Sequence, residues 1–151
     1  MAEGGADRTE VWPRLYVGGI TADRDFDGVR LCVLEAPCDA GCRHLPAFRP
    51  SLEGDWQVNP ILAEEAVRWL AAGLGEGRRT LVHCGSGIER SPAIAALYLV
   101  RYEGLSVRDA YATLLRTRPQ VRVAPHLVPV DDDELRARRR PEALAHRSAE
   151  P

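Results

Sequence analysis

Lysine is absent from this chain: every one of its 20 basic residues is arginine, set against 22 acidic residues for a formal net charge of −2 over 151 positions. So balanced a charge gives no general attraction to nucleic acid or to an anionic membrane, and neither is expected as a partner. Methionine occurs once, phenylalanine twice and aromatics make up 6% of the chain, and no apolar run approaches the roughly 20 residues that a membrane-spanning helix needs. Met1 to Asp7 lacks the apolar stretch of a signal peptide, which points to a cytoplasmic protein. Cysteine is sparse, with four residues, and in such a compartment these are expected to be reduced. An arginine-only basic set beside 13 glycines and 11 prolines fits GC-rich coding DNA and a bacterial source.

What the chain does contain is His83-Cys84-Gly85-Ser86-Gly87-Ile88-Glu89-Arg90-Ser91. Upstream of it, Gly75-Glu76-Gly77 is turn-rich and Thr80-Leu81-Val82 favours a strand. Downstream, Pro92 opens Ala93 to Val100, which has helical composition and a proline suited to the first turn. The segment therefore sits where a strand ends and a helix begins. Backbone N–H groups there lack intrahelical partners, and the helix dipole adds positive charge, so main chain alone can hold a tetrahedral dianion. Gly85 and Gly87 are expected to supply positive-φ turns that aim N–H groups inward, making Gly85, Ser86, Gly87, Ile88 and Glu89 a phosphate cradle. Arg90 closes the ring, since a planar guanidinium gives two parallel hydrogen bonds to two phosphoryl oxygens.

The same field acts on sulfur. Cys84, facing those amides and an arginine, is expected to have its pKa drawn from about 8.5 into the range of roughly 3.5–7.5. The thiolate then attacks phosphorus in line and forms a cysteinyl-phosphate, splitting one slow hydrolysis into two easier steps. Loop N–H groups and Arg90 stabilise the equatorial oxygens of the transition state.

A His-Cys-x-x-Gly-x-x-Arg-Ser string is expected by chance on the order of once in 10⁴ to 10⁵ chains of this length. It resembles the signature of cysteine-based protein tyrosine phosphatases, and the short chain is similar to their dual-specificity branch. Trp12-Pro13-Arg14-Leu15-Tyr16-Val17-Gly18 resembles that branch's first strand, and Arg30-Leu31-Cys32-Val33-Leu34 its next. The resemblance implies that Cys84 is the nucleophile and Arg90 the phosphate clamp. It also implies that Ser91 hydrogen-bonds the sulfur and eases its departure, and that His83 bonds backbone near Cys84 and holds the loop in shape. A proton donor for the leaving oxygen is implied on an upstream loop. Asp55, beside Trp56, has the right type, while the register of the following helix points to Glu53; both stay open.

Glu89 beside the pocket should repel further phosphates by about 1 kcal/mol or more if partly desolvated, which favours a monoester. The expected substrate is a phosphorylated protein or peptide, carrying phosphotyrosine and also phosphoserine or phosphothreonine, with no cofactor. A phosphate-binding module with little turnover is the alternative. Sulfurtransferase loops resemble a shorter spacing between cysteine and arginine, and low-molecular-weight phosphatases resemble this loop near the N-terminus, whereas Cys84 lies mid-chain.

The remaining residues read as scaffold for one monomeric domain over residues 9–130, followed by a charged helix or tail over 131–151. Strands are expected near 14–18, 31–36, 43–48 and 80–83. Asn59 and Pro60 open a helix with Leu62, Ala66, Trp69, Leu70 and Gly73 on its buried face. A central helix runs from Pro92 to Tyr102, and Ser106 caps another whose stripe is Val107, Ala110, Tyr111, Leu114 and Leu115. This pattern predicts an α/β fold: a central mixed, mostly parallel sheet flanked by helices, with the active loop at a strand's carboxyl end, the architecture the phosphatase resemblance also implies. Cys38-x-x-x-Cys42-x-His44 offers three zinc ligands, but a structural site wants four and no fourth follows, so no metal is expected. Cys38 or Cys42 pairing with Cys84 under oxidation is left open. Cys32 reads as core.

Overall fold

A computed structural model of the chain describes residues 5–38 and 41–130; the tail expected over 131–151 lies outside the described residues. The organising element is β7 (Thr80–His83), four buried residues at the centre of a five-stranded sheet. On one side it pairs parallel with β2 (Leu15–Gly18), on the other parallel with β3 (Val29–Cys32). The outer strands are β1 (Arg8–Trp12), antiparallel to β2, and the two-residue β4 (Arg43–His44), parallel to β3. The sheet is therefore mixed and mostly parallel, in the order β1-β2-β7-β3-β4. A separate hairpin joins β5 (Phe48–Pro50) to β6 (Trp56–Val58).

Three helices follow from capping and patterning. In α1 (Pro60–Gly75), Asn59 Oδ1 accepts from Leu62 N–H at 3.1 Å and Pro60 stands in the first turn, where its missing N–H costs nothing. In α3 (Val107–Thr117), Ser106 Oγ accepts from Asp109 N–H at 3.0 Å. Between them, α2 (Arg90–Glu103) buries Ser91 through Val100 without a break and ends on Gly104 in the left-handed region, φ 76°. The helices pack on the sheet face that presents Leu15, Val17, Leu31 and Val82. The opposite face, with Tyr16 and Leu81, is covered by Ala22 and Phe26 from the β2–β3 connection. No helix among the described residues is long and apolar enough to cross a membrane.

Several boundaries differ from the sequence pattern. The chain enters the sheet as a hairpin, β1 turning through Arg14 at φ 66°, rather than as one strand over 14–18. β3 spans 29–32, not 31–36, and the expected strand over 43–48 splits around Pro46, which has no N–H for a ladder. Trp69, expected in the core, is 39% exposed and lies beneath the Arg43 guanidinium, 5.1 Å from ring centre to Cζ. The buried face of α1 is Ala63, Ala66, Val67, Leu70, Gly73 and Leu74, one position out of phase with the stripe that would have taken Trp69 inward.

Candidate active site

The strand-to-helix junction is as the sequence implies, except that α2 begins at Arg90 instead of Pro92. Cys84 to Glu89 therefore span a short loop between β7 and α2, at the carboxyl end of the parallel strands. Every carbonyl from Gly85 to Ile88 is met by a donor from outside the loop. Ile20 N–H donates to Gly85 O at 2.8 Å and Arg122 N–H to Ile88 O at 2.8 Å. Arg118 donates to the two between, through Nε to Gly87 O at 2.8 Å and Nη2 to Ser86 O at 3.4 Å. A trans peptide sets N–H opposite C=O, so the N–H groups of Ser86, Gly87, Ile88 and Glu89 face the concave side. Gly87 N–H is seen there, 3.2 Å from Cys84 Sγ.

Sulfur is the focus of this concavity. Cys84 is 1% exposed, and Ser91 N–H and Ser91 Oγ lie 3.4 and 3.3 Å from Sγ. The helix that begins here has no side-chain cap at Glu89, which leaves its first N–H groups for the loop interior. Ser91 Oγ also donates to Gly18 O at 3.1 Å. A hydroxyl has one proton, so it holds the carbonyl while the sulfur is a thiol, and is free to donate to sulfur once the thiol proton has gone. Cys84 N–H donates to the same Gly18 O at 3.1 Å, which fixes the sulfur's root to β2.

Gly87 sits at φ 69°, and a Cβ there would meet Arg118 Nη2 at 2.4 Å and Gly18 C at 2.6 Å, so only glycine fits. Gly85, expected to share that conformation, is not in the positive-φ region; its lack of a side chain instead leaves room for Arg90 Nη2, 3.1 Å from where a Cβ would stand. The Arg90 guanidinium lies over Trp56, 3.9 Å from Cζ to ring centre. Ile88 and Glu89 complete the rim, both half-buried.

Of the two carboxylates weighed for the acid, Asp55 is brought to this rim. It starts β6's hairpin arm, and its carboxylate lies 3.5 Å from His126 Nε2 and groups with Glu89 and His126, ligand atoms all within 4.8 Å of one another. Glu53 is at the exposed turn of the same hairpin, its N–H on Ser51 Oγ at 3.2 Å, and is not in that group. His83 is fully buried, Nδ1 lying 3.3 Å from Cys84 O; burial holds its imidazole below the usual pKa.

The other cysteines gather elsewhere. Cys38 Sγ and Cys42 Sγ each lie 3.6 Å from Asp23 Oδ2, and neither is among the hydrogen-bond partners of Cys84 Sγ. His44, grouped with them in the sequence, turns Nε2 onto Leu34 O at 2.7 Å. Burial pushes the Cys42 thiol pKa up, with Cys38 and Asp23 adding to it, and Cys32 rises for the same first reason.

Arg118 is the site residue that sequence reasoning missed. It is 1% exposed, and besides Ser86 and Gly87 it reaches Thr9 Oγ1 at 3.0 Å and Asp7 at 3.0 Å. Arg118 precedes a proline just past a helix, and nothing in its local pattern distinguishes it from the other arginines.

Comparison with known proteins agrees with this geometry. A family model described as dual specificity phosphatase, catalytic domain, matches residues 58–129. The chain is similar to rat dual specificity protein phosphatase 12, 30% identical over 127 residues that cover 76% of this chain. It spans 37% of the length of that relative. Among solved structures, one of human DUSP28 superposes with a TM-score of 0.66 at 25% identity, covering 93% of this chain and 98% of that one. DUSP15 superposes at 0.67 with 23% identity, covering 95% and 94%.

Proposed function

Because the chain belongs to the dual-specificity branch of the cysteine-based protein tyrosine phosphatase superfamily, we propose that residues 9–130 form one catalytic domain that hydrolyses phosphomonoesters of proteins or peptides. Phosphotyrosine is the group proposed, together with phosphoserine and phosphothreonine. The observation that carries this reading is the convergence on Cys84 Sγ of Gly87 N–H, Ser91 N–H and Ser91 Oγ within 3.2–3.4 Å, beside Arg90. Such donors suit a negatively charged sulfur at the floor of an anion site.

The phosphoryl oxygens of the substrate take the inward N–H groups of residues 86–89, and the Arg90 guanidinium clamps two of them. Cys84 Sγ attacks phosphorus as the bond to the leaving oxygen breaks, and Asp55 gives that oxygen its proton. The product alcohol or phenol departs, leaving the phosphoryl group on sulfur. Water then attacks phosphorus, returning a proton to Asp55. The sulfur leaves as a thiolate, to which Ser91 Oγ–H turns from the Gly18 carbonyl. The amide ring and Arg90 stabilise the equatorial oxygens in both steps. His83, through Nδ1 on Cys84 O, is a positioning residue.

Glu89 at the rim disfavours a second phosphate close to the first, which supports a simple monoester as substrate. The reaction as written needs no cofactor, and the arginine-only basic set favours a bacterial source.

Steady-state turnover of p-nitrophenyl phosphate in the presence of a chelator tests the proposal. Wild type should turn over, vanadate should inhibit it, and Cys84→Ser should lose turnover while its circular dichroism stays native. Wild type that binds vanadate or a phosphopeptide yet shows neither a burst nor turnover would mark a binding module instead.

A further inference from the structure

The sheet face turned away from the helices carries a second constellation, of which the phosphate chemistry uses His83 alone, and that only through Nδ1. Asp23 comes from the β2–β3 connection, Cys38 and Cys42 from the segment between β3 and β4, and His83 from the end of β7. Their four ligand atoms all lie within 4.8 Å of one another. Asp23 Oδ2 is 3.6 Å from Cys38 Sγ, 3.6 Å from Cys42 Sγ and 3.8 Å from His83 Nε2, and Cys42 Sγ is 3.6 Å from His83 Nε2.

Three of these four separations are close to a tetrahedron's edges, and the one between Asp23 Oδ2 and His83 Nε2 is longer than its edge. With Zn–S near 2.3 Å and Zn–N or Zn–O near 2.0–2.2 Å, tetrahedral angles give S···N and S···O edges of about 3.6 Å and an N···O edge of about 3.4 Å. Two thiolates, an imidazole and a carboxylate also form a donor set that suits zinc among the common divalent ions.

The orientation of His83 is a second, separate observation. The ring is 0% exposed and its Nδ1 lies 3.3 Å from the Cys84 carbonyl, which can only accept, so Nδ1 carries the hydrogen and Nε2 presents a lone pair. That lone pair points at a carboxylate oxygen and a sulfur. A metal-bound histidine is held in this manner, the far ring nitrogen donating to a backbone carbonyl. There is also a route in, since a cavity of about 510 Å³ is lined by Asp23 and Cys38 together with Ile20, Leu34 and Glu35.

We propose that Asp23, Cys38, Cys42 and His83 bind one zinc ion in a closed, four-coordinate site. The ion ties two surface segments to the strand that delivers Cys84, through the residue next to it. With four protein ligands it keeps no open position for chemistry, so its part is structural. The sequence grouping of Cys38 and Cys42 with His44 found two of these ligands and missed the other two, one upstream and one in the phosphate-loop signature itself.

The test uses the full chain, reduced, loaded with Zn(II) or Co(II) and passed through gel filtration against a weak chelator. Wild type is expected to retain one metal per chain, to gain thermal stability with zinc, and to show in its Co(II) form the visible bands of tetrahedral thiolate coordination. Cys84→Ser should behave the same, because the catalytic thiol is not a ligand. Cys42→Ser should lose about half of the thiolate charge-transfer intensity, Cys38 remaining as the second sulfur ligand, and Asp23→Asn, which removes charge with little change of shape, should weaken retention ~10-fold or more. Should Cys42→Ser fail to fold, Asp23→Asn and the Co(II) spectrum of wild type still decide the matter. The site is overturned if wild type retains no metal, or if retention disappears in Cys84→Ser and persists in Asp23→Asn and Cys42→Ser. Neither result bears on turnover of p-nitrophenyl phosphate, so failure of the metal site and failure of the phosphatase reading are distinguishable.

Discussion

Replacing Arg118 with alanine removes the cation that holds the phosphate loop from behind. Its Nε and Nη2 are the donors to Gly87 O at 2.8 Å and Ser86 O at 3.4 Å, and its side chain is 1% exposed. In Arg118→Ala both carbonyls lose that donor. A buried polar group without a partner costs ~1–3 kcal/mol, and a truncated large side chain adds a void. The ion pair with Asp7 adds little, because the Asp7 side chain is 48% exposed and its charge stays hydrated. Together these put the loss at about 3–5 kcal/mol, a large part of the 5–15 kcal/mol that holds a typical domain.

The chain has one way to reduce that cost: rotate the Ser86–Gly87 and Gly87–Ile88 peptides until their carbonyls reach water. Doing so swings the Gly87 and Ile88 N–H groups out of the concavity and away from sulfur. Urea unfolding should therefore show a midpoint lower by ~1–5 M, taking a slope of about 1–3 kcal/mol per M. Calorimetry at a temperature where the variant is folded should show vanadate affinity reduced ~10-fold or more, with kcat falling alongside. Arg118→Lys should recover only part of either, since one ammonium cannot span Gly87 O and Thr9 Oγ1 as the guanidinium does. If Arg118→Ala unfolds at the wild-type midpoint and binds vanadate unchanged, the loop holds its own shape and this reasoning is wrong.

Gly87→Ala forces a side chain into the left-handed region at ~1–2 kcal/mol and into a space already filled by Gly18; thermal unfolding and vanadate binding should both suffer, and a variant with native binding would show that the loop tolerates displacement. Asp55→Asn should lower kcat on a phosphopeptide by about 10²–10⁴-fold and on p-nitrophenyl phosphate much less, with Glu53→Gln near wild type on both; the reverse pattern would transfer the acid to Glu53. Tyr111, buried with its hydroxyl donating to Ala124 O at 3.3 Å, has its pKa raised first by that burial. Below about pH 10 the phenol is protonated folded or unfolded; above it the unfolded chain ionises first, so stability falls as pH rises, by up to ~1.4 kcal/mol per pH unit for this one proton. Tyr111→Phe should flatten the alkaline limb by that one-proton slope, leaving the part due to Tyr98, whose pKa is also raised, first by burial and then by its bond to Glu103, and urea unfolding across that range would expose an unchanged slope.

The parts legible in the sequence were those fixed by near neighbours. Asn59, Ser106 and Gly104 set helix ends through bonds or dihedrals within a few residues, and the apolar run from Ala93 to Val100 left one place for α2. The order strand, loop, helix around Cys84 was likewise local. Trp69 was misjudged because Ala63, Ala66, Leu70 and Gly73 allow a tighter approach of α1 to the sheet than a stripe containing an indole. β5 and β6 are three residues each, too short for alternation to stand out, so the hairpin that delivers Asp55 and Trp56 was read as a bare loop. Arg118, Asp7 and Asp23 act at separations of 15 to 111 residues, and no periodicity encodes that.

Those long separations bear on what kind of object the phosphate loop is. Its glycines permit the curl but do not hold it, since each outward carbonyl is met by a group from elsewhere: Ile20 after β2, Arg118 and Arg122 after α3. The inward N–H groups are thus a consequence of tertiary contacts on the loop's far side, transmitted through rigid peptide planes. A peptide of residues 83–91 has no such donors and would lose its carbonyl bonds to water, giving up the common N–H direction. Anion affinity is then coupled to the packing of β1, β2 and the segment after α3 on the loop, so Ile20→Pro or Arg122→Pro, each of which removes the backbone N–H that meets Gly85 O or Ile88 O, should weaken vanadate binding, and Thr9→Val, which frees only one donor of Arg118, should weaken it less.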